Sequence, residues 1–102
     1  IPKTDIVLKG YSKTEGVYLV RCGDSDFYKI GLTTDIIKRI KAIQAYCPYP
    51  ITLEKFWPTD ESKTAETVLH WKYGKYNHRG EWFKLPKREV DRFGKYIPEV
   101  CR

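Results

Sequence analysis

The sequence predicts an α/β domain of the α+β type, in which a small, mostly antiparallel three-stranded sheet is flanked by helices. Residues 16–22 and 27–31 are rich in β-branched and aromatic residues and are separated by a turn cluster, so they are predicted to form a β-hairpin. Residues 51–57 alternate apolar and polar side chains, which is the period of a half-buried strand. With the intervening helical segments, the predicted order is β-β-α-β-α-β-α.

The first predicted helix covers residues 35–46. Ile36, Ile40 and Ile43 recur at helical spacing and form an apolar stripe that should face the core. Threonine and aspartate side chains directly before the stripe are good N-caps. Two prolines after it end the helix, since proline disfavours a helical residue before it and donates no backbone hydrogen bond.

The C-terminal half is predicted to contain two further helices and a short strand. The second helix runs over 62–76, residues 77–80 form a turn, and residues 81–85 form the strand. Pro86 suits the N1 position of the last helix, whose apolar positions extend to Ile97.

At 102 residues, the chain is long enough for one domain and not two. We assign residues 1–13 to a polar lead-in segment, with one short edge strand around residues 6–8, and residues 14–102 to a single domain. Because the chain begins without Met, we interpret it as a trimmed piece of a longer protein. A signal, a second domain or a DNA-specificity module could be missing from it.

Composition indicates the class of partner and the compartment. The formal charge of +6 and the pI near 9.2 favour a polyanion such as nucleic acid, although charge alone also fits a merely soluble basic protein. The three cysteines, Cys22, Cys47 and Cys101, are odd in number and form no CxxC pair. This argues against a disulfide framework or a zinc ribbon and predicts an intracellular location, in cytoplasm or nucleus. No apolar run reaches membrane-spanning length.

Candidate site residues follow from strand parity and helix spacing. If Ile30 faces the core, Lys29 projects on the same side of the hairpin as Tyr18, although such a pair is more often an exposed contact without a role. Arg39 borders the isoleucine stripe of the first helix. Glu66 and His70, four residues apart, share one face of the second helix, where they could bind a metal or only a hydrogen-bond partner.

Taken in order, these residues resemble the signature of the GIY-YIG nucleases. The chain reads Gly16-Val17-Tyr18, then Lys29-Ile30-Gly31, then Arg39, then Glu66, and the resemblance covers roughly residues 16–85. The string from Lys29 to Arg39 and the later Gly80-Glu81-Trp82-Phe83 look like the phage-associated branch. Val17 replaces the isoleucine of GIY, and Lys29 stands where the tyrosine of YIG is expected, a KIG variant.

The resemblance implies a metal-dependent DNA endonuclease. Arg39 would stabilise the phosphoryl charge with its forked cation, and Glu66 would hold one Mg²⁺ or Mn²⁺. Tyr18 would orient or deprotonate the attacking water, but a free tyrosine has a pKa of about 10, too high for a base at neutral pH. Lys29 is therefore expected to favour the phenolate by its charge, or to take the proton itself.

Accessory residues and rival functions complete the prediction. Tyr28, Thr33 and His70 are possible phosphate, structural or cleft contacts. A tract rich in cations is expected to contact the DNA backbone or else to be a solvated surface. Its proposed contacts are Lys72, Lys75, Arg79, Lys84, Lys87 and Arg88.

The alternatives are a DNA-binding module that keeps the fold without catalysis and, less well supported, a protein-interaction domain. Specificity is expected from an appended domain or partner.

Overall fold

The computed structural model describes residues 14–98, and the predicted edge strand at residues 6–8 lies outside them. The described chain forms a mixed α+β domain. Its elements are β1 (Gly16–Cys22), β2 (Phe27–Thr33), α1 (Ile36–Ala45), β3 (Ile51–Pro58), α2 (Ser62–Lys72), a 3₁₀ turn (Gly74–Tyr76), β4 (Asn77–Arg79), β5 (Trp82–Lys84), α3 (Lys87–Asp91) and a second 3₁₀ turn (Phe93–Tyr96). Within residues 14–98, no helix is long and apolar enough to cross a membrane.

The sheet has five antiparallel strands in the order β3-β1-β2-β5-β4, so the predicted count of three is wrong. The three predicted strands are present, and β1 lies between β2 and β3 as the antiparallel hairpin requires. The difference lies at residues 77–80, which were predicted as a turn: Asn77–Arg79 pairs with Trp82–Lys84 to form a second, very short hairpin. The strand predicted at residues 81–85 is present as the shorter β5, which pairs with both β2 and β4. The three residues of β4 carry too little alternation to be predicted as a strand.

Helices pack on both faces of this sheet, and each face has its own apolar core. Val17, Leu19 and Ile30 pack against Leu69 of α2 on one face, which we call the α2 face. The opposite α1 face carries a second cluster, which contains Tyr18 and Val20 of β1, Ile51, Leu53 and Phe56 of β3, and the predicted stripe Ile36, Ile40 and Ile43. Strand β1 is therefore buried on both sides, unlike a strand that alternates between core and solvent.

The helices in the C-terminal half are shorter than predicted. Helix α2 ends at Lys72 rather than Tyr76, and the chain tightens into the 3₁₀ turn Gly74–Tyr76, because glycine is a poor helix former. Pro86 lies at the N-cap with an extended ψ of 152° and not at the first helical position. The predicted final helix is one short helix followed by a 3₁₀ turn, and Ile97 packs into the core from beyond both.

Two motif glycines are required by close packing across the central strands. A Cβ placed on Gly16 would collide with the carbonyl oxygen of Trp57 and lie 2.9 Å from Pro58 Cα, on the neighbouring β3. Gly31 pairs with Tyr18, and a Cβ there would collide with the tyrosine hydroxyl and lie 2.6 Å from its Cζ. The Tyr18 ring therefore lies across Gly31, and a side chain at position 31 would collide with it.

This packing predicts that Gly31→Ala is destabilising. Alanine normally stabilises a strand relative to glycine, but here its methyl group would displace the Tyr18 ring, and overpacking of this kind costs about 1–3 kcal/mol. Urea unfolding followed by circular dichroism measures the effect. Gly74→Ala is the matched control, since a Cβ at Gly74 meets nothing within 4 Å. Equal stability of both variants would contradict the packing of Tyr18 on Gly31.

Candidate active site

Tyr18 and Arg39 meet on the α1 face of the sheet. Arg39 Nε donates a hydrogen bond of 3.2 Å to the Tyr18 hydroxyl. Tyr18 is 0% exposed, whereas Arg39 lies on the outer side of α1 and is exposed. The bond to the hydroxyl raises the pKa of the guanidinium, and the charge of Glu81 adds to this effect. With Nε engaged, both terminal nitrogens of the guanidinium fork remain to bind a ligand.

Lys29 has a different partner from Tyr18. Its ammonium pairs with the Glu81 carboxylate at 2.8 Å, and the lysine side chain is only 15% exposed. Glu81 is held in place by the tight turn between β4 and β5, where Gly80 adopts a positive φ of 55°. The Glu81 carbonyl also accepts a 3.1 Å hydrogen bond from Ile30 N–H. The β4–β5 turn thus places the Glu81 carboxylate beside the Lys29 ammonium of the Lys29-Ile30-Gly31 motif.

The α2 pair Glu66 and His70 occupies the open edge of β2. Strand β5 pairs with β2 only as far as Lys29, so the backbone groups beyond it point away from β1 without a strand partner. His70 Nε2 lies 2.8 Å from the Ile30 carbonyl oxygen, and because a carbonyl only accepts, this nitrogen is the donor. One turn earlier, the Glu66 carboxylate accepts a hydrogen bond from Leu32 N–H. These two side chains therefore supply hydrogen-bond partners to the β2 backbone beyond the point where its pairing with β5 ends.

At this edge, Glu66 lies close to charges from both faces of the sheet. Burial, and then the charge of Glu81, raise the pKa of the Glu66 carboxyl. His70, the Leu32 N–H and Lys29 oppose that rise. Burial and the charge of Glu81 thus both act against the ionised form of Glu66, and the nearby cations only partly offset them. A site of this kind favours an additional cation.

A cleft of about 420 Å³ opens beside these residues. Its lining consists of Lys29, Arg39, Ala42, Ile43, Tyr46, Cys47, Pro48 and Trp82. One wall is the flank and C-terminal end of α1, and the other is the sheet surface at β2 and β5. The free thiols of Cys47 and Cys22 lie 3.7 Å apart at its far end.

Two of the predicted accessory residues, Tyr28 and Thr33, contribute to the packing of the core and to the start of α1. Tyr28 is 5% exposed and packs in the core on the α2 face, and burial raises the pKa of its hydroxyl. The Thr33 hydroxyl bridges the Asp35 backbone, donating to its carbonyl and accepting from its N–H, both at 3.1 Å. Asp35 in turn caps α1 by accepting from Lys38 N–H at 3.1 Å. Thr33 therefore shapes the entry to the helix that carries Arg39.

The predicted DNA-contact residues are divided between different surfaces. Arg79 and Lys84 extend from β4 and β5, and the strand register places both on the same side as Lys29. The others lie on the helical side of the domain. There Lys72 stacks on the Trp71 ring at 4.9 Å, Lys75 on Tyr76 at 5.1 Å, Lys87 pairs with Asp91 at 3.6 Å and Arg88 with Glu89 at 3.9 Å. Of the six, only Arg79 and Lys84 lie on the side of the sheet that carries the cleft.

The carboxylates at the β2 edge suit a magnesium ion better than a metal ion that is bound by three or more protein side chains. Among residues 14–98, no three His, Cys, Asp or Glu side chains are grouped to hold a metal ion. Mg²⁺ instead binds through one or two carboxylates and takes its remaining oxygens from water and phosphate. Glu66, whose pKa is raised by burial and then by the charge of Glu81, fits that donor set.

The sequence matches the family model of the T5orf172 domain over residues 15–97. The chain belongs to the T5orf172 domain family. This domain is phage-associated and occurs in the context of endonuclease-like proteins. No curated protein and no solved structure matches the chain significantly. All the residues described above as forming the site lie within the matched T5orf172 region.

Glu81 is the residue of this T5orf172 site that the sequence interpretation did not assign. Its charge acts on Arg39 and Glu66, and its carboxylate binds Lys29 directly. In the sequence it is the one carboxylate inside a basic tract, directly after a glycine that suits a turn. An isolated acidic residue among cations was the available signal, because such a residue is often retained for a specific partner.

Proposed function

We propose that this T5orf172 domain is a metal-dependent endonuclease of GIY-YIG type that hydrolyses DNA phosphodiester bonds. One observation carries the proposal. Lys29 of β2 pairs with Glu81 at 2.8 Å, and the charge of Glu81 acts on both Arg39 of α1 and Glu66 of α2, so side chains from three separate elements lie within electrostatic range of one carboxylate. Cations for a phosphate and carboxylates for a divalent ion are thereby combined in one place.

Arg39 is the residue that binds the scissile phosphate. Its Nε is held by Tyr18, which orients the guanidinium, and the residue is exposed to solvent. A planar fork of this kind suits two phosphoryl oxygens, and its charge stabilises the negative charge that builds up in the transition state. Orienting the fork before substrate arrives reduces the cost of ordering it later.

Glu66 is the residue that would hold the divalent cation, Mg²⁺ or Mn²⁺. When bound, such an ion supplies neutralisation of phosphoryl charge and a more acidic water. The chain contributes the carboxylate, fixed by Leu32 N–H, and the nearby Lys29–Glu81 ion pair. His70 keeps the β2 edge closed at Ile30 and is a positioning residue for Glu66 one turn away.

The geometry changes the role that we assign to Tyr18. A hydroxyl that is fully buried and bonded to Arg39 is better placed to orient the guanidinium than to contact an attacking water. We therefore propose that Tyr18 positions Arg39, and that Lys29 balances the two carboxylates while lying next to the phosphate path. Tyr18 would act as a base only after Arg39 moves off its hydroxyl.

The decisive test is a supercoiled-plasmid assay with Mg²⁺ or Mn²⁺ at low salt. We expect conversion to nicked or linear DNA that stops completely when EDTA is added. A protein that binds the plasmid but leaves it intact with either metal would instead be a DNA-binding module of this fold. That outcome, with single-stranded DNA also left intact, would remove the enzymatic proposal, and binding measured in the same samples would distinguish it from an inactive preparation.

A further inference from the structure

Within residues 14–98, no helix covers the sheet surface beside the cleft, and this surface carries aromatic and cationic side chains. On the α1 face, helix α1 packs over β1 and β3, whereas β2, β5 and β4 extend beyond it. Strand register places Trp82 opposite Lys29 and Arg79 opposite Trp82, so all three share this side. Phe27 shares it by alternation from Lys29. We call this surface the open sheet face.

Trp82 is the centre of the open sheet face. It is half-buried, in contrast to its neighbour Phe83, which points to the α2 face and is 1% exposed. It lines the 420 Å³ cleft on the side of Arg39 and also a second, apolar concavity of about 230 Å³ on the side of Arg79. In that second concavity, the rings of Phe27 and His78 lie 4.9 Å apart. One indole is thus the shared wall of two adjacent hollows.

We propose that the open sheet face binds single-stranded DNA, with an unstacked nucleobase against Trp82 and the adjoining phosphate on Arg39. The substrate class is therefore DNA with unpaired nucleotides at the cleavage point, and this proposal rests on the DNA-directed function above. Bases inside a duplex have both faces covered by their neighbours, so they offer no surface to an indole. Single strands stack readily on aromatic side chains that stand in a basic groove.

Size and charge agree with this occupant. A cleft of about 420 Å³ is in the range that encloses one small ligand, such as a nucleotide. Arg39 lines one hollow and Arg79 the other, so a strand that crosses Trp82 would meet a cation on each side of the indole. Within residues 14–98, Arg79 and Lys84 form no ion pair with a carboxylate, which leaves both available to an anionic backbone.

The test compares binding and cleavage of three dye-labelled DNAs: a single strand, the same strand annealed to its complement, and that duplex with a single-stranded overhang. Binding is measured by fluorescence anisotropy in EDTA, and cleavage is measured with Mn²⁺. We expect the wild-type protein to bind the single strand more tightly than the duplex, and to cut the overhang substrate at the unpaired region.

Trp82→Leu keeps bulk but removes the aromatic face, and it should weaken single-strand binding about 5- to 150-fold with little change for the duplex. Trp82→Phe should restore most of that loss. The matched control is Trp71→Leu, a tryptophan on α2 that is 76% exposed and lies away from the open sheet face. Phe27→Leu, in the second concavity, should show a smaller loss of the same kind and tests the open sheet face if Trp82→Leu does not fold.

The outcomes separate this inference from the proposed function. Equal or tighter binding of the duplex, with no effect of Trp82→Leu or Phe27→Leu, would overturn the single-strand inference while plasmid nicking still supported an endonuclease. Absence of cleavage of every substrate, with Trp82-dependent single-strand binding, would overturn the enzyme and support the binding face. Tighter binding of an RNA strand of the same sequence would overturn the assignment to DNA.

Discussion

Glu66→Gln is expected to reduce DNA cleavage by at least about a hundredfold, because the charge stabilisation contributed by a catalytic cation amounts to several kcal/mol. Glutamine keeps the shape of the side chain and can still accept from Leu32 N–H, but it has no negative charge to hold Mg²⁺. DNA binding should persist, since it depends on the cations of the cleft, and it should weaken steeply as salt is added.

The same variant should be more stable than the wild-type protein at neutral pH. Burial and Glu81 raise the pKa of Glu66 in the folded state, so folding favours the protonated carboxyl. The wild-type protein therefore loses stability as pH rises from the unfolded pKa, about 4.3, through the folded one. The stability gain of Glu66→Gln should be present at pH 7 in EDTA and vanish below about pH 4. Thermal unfolding across a pH series measures this gain.

Glu54→Gln is the matched control for both measurements. Its carboxylate acts on Tyr28, and Glu54 lines a hollow with Trp57 and Phe93, away from Arg39. It should leave cleavage unchanged. Full activity of Glu66→Gln would remove Glu66 from the site, and a loss of stability at neutral pH would contradict the strained environment that we infer for the carboxylate.

Arg39→Lys should lower cleavage about 10²–10³-fold, the usual cost of losing one oriented donor to the transition state. Lysine keeps the charge, but a single ammonium cannot bond Tyr18 and present two further nitrogens to a phosphate. The rate constant at saturating DNA should carry most of this loss, because a remaining positive charge still attracts the backbone. Arg92→Lys, an exposed arginine beyond α3, is the control and should behave as wild type.

A double variant separates the two roles considered for Tyr18. Tyr18→Phe removes the hydroxyl while the ring remains over Gly31. If Tyr18 acts by orienting Arg39, then Tyr18→Phe lowers activity alone but adds little to Arg39→Lys, since the oriented fork is already lost. Multiplied losses in the double variant would show that Tyr18 acts independently, and would favour its assignment as the group that activates water.

Local patterns in the sequence were enough to predict the elements that carry the motif. The hairpin of β1 and β2 and the isoleucine stripe of α1 follow from side-chain alternation and helical spacing, and both are present as predicted. Parity also placed Lys29 on the same side of the hairpin as Tyr18, in agreement with the strand register. These features depend on near neighbours along the chain, so a single sequence contains them.

Other features depend on partners far away in the sequence. Strand β5 lies within the strand predicted at residues 81–85, but β4 has only three residues and is stabilised by pairing with β5, so no local pattern reveals it. The sequence placed Tyr18 on the face opposite Val17, but only the packing of α1 on that face determines that its hydroxyl is fully buried. Alternation assigns a side of the sheet and does not say what covers it.

By itself, therefore, the sequence determined which residue types occupy the β1–β2 hairpin, α1 and α2, and in which order. Tertiary structure decided which side chains become partners. Lys29 forms an ion pair with Glu81 rather than contacting Tyr18, and the Tyr18 hydroxyl accepts a hydrogen bond from Arg39. It also decided that the sheet extends past α1, so that Trp82 is only half-buried by the part of the chain that the structure describes. Charges and aromatic rings act through space over a few ångströms, and their neighbours at that distance are set by how helices and strands pack.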